Sequence, residues 1–410
     1  MSFTLIRDLF LHFLEFYNLL VSQRCFESIV SSSITFALFM NIAVNINPHN
    51  DTEGEYYQYL LELIIQLARV QATSSFYLIH DRQAELSKEW PSNIQWVQMK
   101  PVASGPISWR YWYDIKLPFL LRKLKADVLI HLNGRASLTT AIPQLLCIRD
   151  LSHLEPSSFY KKTHTGYFKK YFKKFLHKGG AIICFSPVVK KKLTYTFHLN
   201  EQKVDIVIPE SVLRSLSVTE EEKDQVKEQY TEGKEYFLFA GDLDLRHQLL
   251  HLFKAFSLFK KRQRSTWKLV LAGAPPAPAL LHMLQTYKYR DDVVVAPVPY
   301  LERGVLVAAA YALVTPASTE GFALATIDAM YAGTTVLAPA ESVAGDIAGE
   351  AGLGFDPDSP EDMADKMMWI YKNESARKEL IQRGRAVAEK LDNTDSVGRL
   401  WTVIMKTAST

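Results

Sequence analysis

From Met40 onward the chain alternates short apolar runs with longer segments of helical periodicity, and this alternation confines it to an open α/β architecture with a largely parallel sheet. Strand-like runs fall at Ile42–Ile46, Ser75–His80, Val128–His131, Gln144–Ile148 and Ala181–Phe185, with helical patterns between several of them, Tyr56–Arg69 the clearest. The first half ends near Val207–Pro209. Thr219 and Glu222 then form a capping-box pair that opens a charged helix, Thr219–Tyr230. The second half alternates more cleanly, with strands at Tyr236–Ala240, Lys268–Ala272, Asp292–Pro297, Leu313–Thr315 and Thr335–Ala338. Helices read at Leu249–Arg262, Leu301–Tyr311, Gly321–Ala332 and Pro360–Lys372, and a final helical segment runs from Ser375 to Lys406. With 410 residues there is room for two ordinary domains. Two doubly wound sheets leave a cleft at the carboxyl ends of their strands, where ligands bind in such folds.

Composition narrows the class without choosing a partner. Hydrophobic residues make up 48% and charged residues 22%, a globular profile, and the formal net charge is only +3. Cys25, Cys147 and Cys184 are too widely spaced for a metal or redox motif and fit a reducing cytoplasm. Neither a G-x-G-x-x-G after the first strand nor a Walker A lysine loop is present, which excludes the commonest dinucleotide and nucleotide-triphosphate readings. Residues 1–39 stand apart. Leu5–Val21 is apolar but broken by Arg7, Asp8, His12 and Glu15, so it does not read as a membrane span. It is expected to be either an upstream extension before a true start at Met40 or an amphipathic docking segment.

The stretch TEGFALATIDAMYAGTTVLAP, residues 319–339, carries the chemistry. It places an acid, Glu320, before a glycine and a helix, and a second acid, Asp328, about two helical turns further on. A helix N-terminus is an anion site, and a carboxylate beside it suits a ligand with both phosphate and hydroxyl groups. That combination points to a nucleotide sugar.

An acid followed by Gly-Phe, then a second acid and Ala-Met-x-x-Gly-x-x-Val, resembles the signature of glycosyltransferase family 4 (glycosyl transferases group 1). The resemblance implies the GT-B fold: two Rossmann-like doubly wound domains facing across a cleft. It gives Glu320 the transferred sugar and Asp328 the ribose, where the family more often has Glu. A second match is YFLFAGDLDLRHQLLHLFKAF, residues 236–256, in which Gly241 ends the strand and Arg246 stands for the first of the family's basic pair on the donor diphosphate. His247 replaces the second, a lysine. It is cationic only when protonated, so donor affinity is expected to rise as pH falls through about 6.5. Gly321 and Phe322 complete the donor side. Asp242-Leu243-Asp244 reads as turn chemistry rather than a metal-binding D-x-D.

In the first domain the resemblance loosens. Gly54 and Tyr56 are kept from the family's glycine-rich loop, but acids surround them. In CIRDLSHLEPSSFY, residues 147–160, Arg149 takes the place of a histidine and cannot act as a base. His153 is a candidate to reach the same cleft or else plain surface. Gly54, Asn133 and Arg149 are the expected acceptor-side contacts. In AGEAGLGFDPDSPEDMADKM, residues 348–367, the proline at the helix start is structural. The run YFKKYFKKFLHK, residues 167–178, puts aromatics on one helical face and lysines on the other. It reads as a core-packed helix with a solvated basic face, or as a contact with anionic lipid or a lipid-diphosphate acceptor.

The expected organisation is an extension over 1–39, an acceptor-side domain over 40–209, a nucleotide-sugar domain over 210–385, and a terminal helix over 386–410 that returns to the first domain. The expected function is retaining, metal-independent sugar transfer from a nucleotide-diphosphate sugar to a glycan or lipid-linked acceptor in polysaccharide biosynthesis. No cofactor and no nucleic acid are expected, and the location is cytoplasmic or peripheral on the membrane's inner face. The alternatives are a non-catalytic relative acting as a donor-binding or scaffolding subunit, favoured by the changes at Arg149, His247 and Asp328, and a phosphorylase or epimerase on the same architecture.

Overall fold

The computed structural model describes residues 39–46, 54–81, 90–154, 162–211, 213, 217–243, 248–273, 275–298, 300–318, 321–392 and 395–410. The chain divides into two compact units, Met1–Met40 and Asn41–Thr410, and all that follows concerns the second. The expectations for residues 1–38, for the acidic loop 51–53, for Arg246 and His247, and for Glu320 lie outside the described residues.

Two parallel sheets form the second unit. The first takes β1 (Asn41–Asn45), β2 (Ser75–His80), β3 (Ile94–Gln98), β4 (Val128–His131), β5 (Gln144–Ile148), β6 (Ala181–Cys184) and β7 (Val204–Ile206) in the order β3-β2-β1-β4-β5-β6-β7. The second takes β8 (Tyr236–Ala240), β9 (Lys268–Ala272), β10 (Val293–Ala296), β11 (Ala312–Val314), β12 (Thr335–Pro339) and β13 (Gly352–Phe355) in the order β10-β9-β8-β11-β12-β13. In both, the strand order reverses beside the opening strand, at β1/β4 and at β8/β11. Those are the switch points where a crevice opens in a doubly wound sheet. β1, β4, β5, β6, β8 and β9 are buried along nearly their whole length because helices cover both faces, and this is why they read as plain apolar runs.

Local chemistry sets several helix ends. Thr219 Oγ1 accepts from the Glu222 N–H at 3.2 Å and Glu222 returns the bond to the Thr219 N–H at 2.8 Å, the reciprocal cap expected from sequence. Ser359 caps the helix Pro360–Lys372 by accepting from Asp362 N–H. The helix expected over Leu301–Tyr311 is shorter, Gly304–Ala308. The one expected from Gly321 starts at Leu324, after Ala323 in a left-handed conformation. Gly321 therefore sits on the loop before the helix and not at its first turn.

The chain ends in two helices, Glu374–Asp392 and Ser396–Ala408, and residue 386, where sequence drew the last segment, lies inside the first of them. The first stays with the second sheet: Arg377 Nε donates to the Tyr311 carbonyl and Tyr331 OH to that of Ala388. The second crosses to the first sheet. Ser396 Oγ donates to the Ile208 carbonyl, Arg399 to that of Ile206, and Lys406 Nζ to that of Gln202. Among the described residues no helix is long and apolar enough to cross a membrane.

Candidate active site

The carboxyl ends of the two sheets meet, and the loops after β1, β5, β8, β10 and β11 form the contact. Gly321, after β11, lies so close to the loop after β5 that a Cβ there would fall 1.9 Å from the Arg149 carbonyl oxygen, an approach only glycine allows. Gly54, after β1, faces the Asp242 carboxylate that follows β8, and a Cβ there would stand 2.9 Å from Oδ2. Asp242 Oδ1 accepts from the Glu55 N–H at 3.1 Å, so an acid of the second sheet caps the helix Glu55–Val70 of the first.

Phe322, next to Gly321, does not line open space. It is buried, and its ring meets Tyr56, Tyr59 and Phe185 edge-on at centroid distances of 5.2, 5.1 and 5.2 Å. Such arrangements are the favoured ones for aromatic pairs. The second domain thus inserts an aromatic ring into the first.

Asp328 is fully enclosed at 0% exposure. Ser211 Oγ donates to its Oδ1 at 2.7 Å, and Arg303 donates to its Oδ2 at 3.1 Å. Arg303, 1% exposed, also pairs with Glu55 from the first domain. Two carboxylates thus share one guanidinium across the domain contact. Burial raises both Glu55 and Asp328 above the ordinary carboxylate value, with Arg303 pulling each back. Burial alone would lower Arg303, yet the two acids outweigh it and hold the guanidinium above its usual value. Each carboxylate oxygen of Asp328 therefore already accepts one hydrogen bond, Oδ1 from Ser211 and Oδ2 from Arg303.

In the first domain, Arg149 Nε pairs with Asp150 Oδ2 at 2.7 Å and its guanidinium stands 5.5 Å from the Tyr56 ring centroid. Burial would raise Asp150, but Arg149 and the Ser152 hydroxyl outweigh it and hold that carboxyl below the ordinary range. Asn133 donates to the Tyr113 hydroxyl at 2.9 Å and accepts from the Arg135 N–H. His153 packs on the helix Lys162–Lys178. Its ring packs 4.2 Å from Phe168 and 4.8 Å from Phe172, and burial lowers its pKa to about 3. It is a half-buried, neutral imidazole packed on aromatic side chains rather than a group held in open solvent.

The structure therefore brings Gly54, Gly321, Phe322, Asp328 and Arg149 to one domain contact, with Gly241 at the end of β8 beside Asp242. A solvent-open cleft of about 490 Å³ adjoins it, lined among others by Asp150, Ser152, Lys192, Ser318, Gly321 and Glu341. Thr319 and Glu320 belong between two of these residues in sequence. Sequence reasoning passed over Glu55 as a pairing acid, and over Ser211 and Arg303 altogether. Ser211 and Arg303 lie in no recognisable motif, and only the fold brings them to Asp328.

The comparisons agree with this architecture. Residues 220–387 match the sequence model of the family described as Glycosyl transferases group 1. The O-antigen chain mannosyltransferase RfbU of Salmonella typhimurium is 26% identical over 206 residues, which cover 50% of this chain and 53% of that protein. The match thus spans about half the length of that relative. The structure of WaaG, a glycosyltransferase involved in lipopolysaccharide biosynthesis, superposes with a TM-score of 0.72 at 14% identity, covering 88% of this chain and 99% of the other. Anabaena Alr3699/HepE in complex with UDP-glucose gives 0.69 at 12%, covering 90% and 100%. At these identities the likeness is one of fold, and the fold is GT-B.

Proposed function

We propose that this chain is a retaining, metal-independent glycosyltransferase of family 4, moving a hexose from a nucleotide-sugar donor to a glycan or lipid-linked acceptor on the cytoplasmic side of the membrane. The observation that carries the reading is the position of the 321–333 segment. It follows β11 at the switch point of the second sheet, inside the region matching glycosyl transferases group 1, and faces the first domain across the contact at Gly321. In this reading Glu320 holds the sugar, Asp328 the ribose, and Arg246 with His247 the departing diphosphate. Stabilising the leaving group's charge is the larger contribution, and holding donor and acceptor together is the next. Arg149, paired with Asp150 at the wall of the cleft, orients an acceptor hydroxyl or phosphate and takes no proton.

The occupied state of Asp328 favours a second reading, in which the chain is a non-catalytic relative whose donor pocket has closed on itself. One experiment separates the two. The protein is incubated with uridine, guanosine and thymidine diphosphate sugars, and nucleotide release and nucleotide binding are followed, with Glu320→Ala and Arg246→Ala as controls. Release from one donor that is lost in both controls is the expected result. An absence of nucleotide binding overturns the enzyme reading.

A further inference from the structure

The first domain also carries an exposed apolar surface on a helix with a π turn at its centre. The helix Pro106–Tyr111 runs through a π-helical turn, Trp112–Lys116, directly into Leu117–Leu124. Its inner face is set by Trp109, Tyr113, Leu117 and Leu121, all buried and four residues apart. Offset from these by two residues, about half a helical turn, stand Ile107, Tyr111, Ile115 and Phe119, exposed at 88, 42, 61 and 73%. Steps of four creep around an α-helix by about 40° each. The wider π turn in the middle lets the register fall back, so both stripes hold their faces over the whole length. The result is a continuous outward row of large apolar side chains, which a solvated surface does not need.

The neighbouring helix, Lys162–Lys178, supplies charge. Trp109 packs on Tyr167 at 4.8 Å, and the Arg110 guanidinium lies over the rings of Tyr171 and Phe175 at 5.2 and 5.5 Å, so the two helices lie side by side. Its buried face is Tyr167, Phe168, Phe172, Phe175 and Leu176, while Lys169, Lys170, Lys173 and Lys174 are exposed. Lys170 and Lys174 approach the same Tyr171 ring, at 5.3 and 5.7 Å, that Arg110 covers. The exposed Arg122 and Lys123 close the first helix. Between them the two helices contain a single acid, Asp114, and it is paired with Arg110.

We infer that these two helices form a docking face for an anionic phospholipid bilayer, with Ile107, Tyr111, Ile115 and Phe119 entering the interface and the lysine row of the second helix meeting the headgroups. Charge complementarity selects this occupant. An uncharged apolar partner has no use for the lysines, and a soluble acidic partner has none for a row of exposed Ile and Phe. Docking here is a property of the fold and does not depend on which sugar is moved.

The test is sedimentation of the full chain with vesicles of phosphatidylglycerol mixed with phosphatidylcholine, against vesicles of phosphatidylcholine alone. One variant carries Ile107→Ser, Ile115→Ser and Phe119→Ser, and the other Lys169→Gln, Lys170→Gln, Lys173→Gln and Lys174→Gln. Circular dichroism checks their folding, and Phe119→Ser alone replaces the triple variant if that fails. The expected result is binding to the anionic vesicles only, weakened by about tenfold or more in each variant and by added salt. Three outcomes overturn the inference: no binding by the natural chain, binding that survives both sets of changes, or binding to polyglutamate as tight as to vesicles and indifferent to the serine changes. A loss of vesicle binding that tracks a shift from dimer to monomer in the ultracentrifuge also overturns it, by making the face an interface between copies.

Discussion

Arg303 donates to Asp328 of its own domain and pairs with Glu55 of the other, so one buried guanidinium ties the expected ribose-binding acid to the domain opposite. Removing one partner of such a group leaves charge buried without compensation, which costs about 3–5 kcal/mol. Arg303→Met is expected to destabilise the chain by roughly that amount in urea unfolding. Combining it with Asp328→Asn should recover about 1 kcal/mol or more. Strict additivity of the two changes would show that they do not interact.

The same three groups set a pH signature. Glu55 and Asp328 titrate above the ordinary carboxylate value, so the folded chain holds more protons than the unfolded chain below that raised value. Their contribution to stability is complete below the unfolded value of about 4 and is lost as pH rises through the folded one. Asp150 works in the opposite sense: its contribution is present above about 4 and is lost as pH falls through its lowered value. Stability should therefore rise from neutral pH into the mildly acid range. Glu55→Gln should remove part of that rise, about 1.4 kcal/mol for each pH unit of displacement. Urea unfolding at a series of pH values measures it, and an equal rise in both proteins counts against the cluster.

How much of this could be read in the chain beforehand depends on how local each signal is. Strands covered on both faces announce themselves as apolar runs, and the Thr219–Glu222 cap needs only its own four residues. The edge strand Ile94–Gln98 is interrupted by glutamines at its second and last positions, and Val204–Ile206 is only three residues long, so neither stood out. The start of the helix near Gly321 was misplaced because Phe322 and Ala323 continue an apolar pattern. The fold instead spends Phe322 on Tyr56, Tyr59 and Phe185 of the other domain, which holds the chain out of the helix. Arg303 and Ser211 were invisible for the same reason. They lie 25 and 117 residues from Asp328, and only the assembled contact makes them partners.

Gly321 offers a sharper test of the closed contact. A methyl group at this position collides with the Arg149 backbone, which cannot swing away as a side chain could. Gly321→Ala should force the domains apart locally and lower turnover by about tenfold or more, since small misplacements of reacting groups are that costly. Small-angle scattering with nucleotide-release rates checks both halves. Unchanged turnover would place the working geometry elsewhere.

His153 separates packing from catalysis. Its imidazole packs on Phe168 and Phe172 with a pKa lowered to about 3, so it is neutral at neutral pH and a weak base. His153→Phe keeps the ring and its contacts while deleting both nitrogens. Turnover and its pH profile between about 5 and 8 should be unchanged, where a general base removed from the site costs about 100-fold or more. A loss of that size without unfolding would mean that His153 reaches the substrate. Retention would leave the acceptor's proton to the departing diphosphate, consistent with an Arg149 that stays charged throughout.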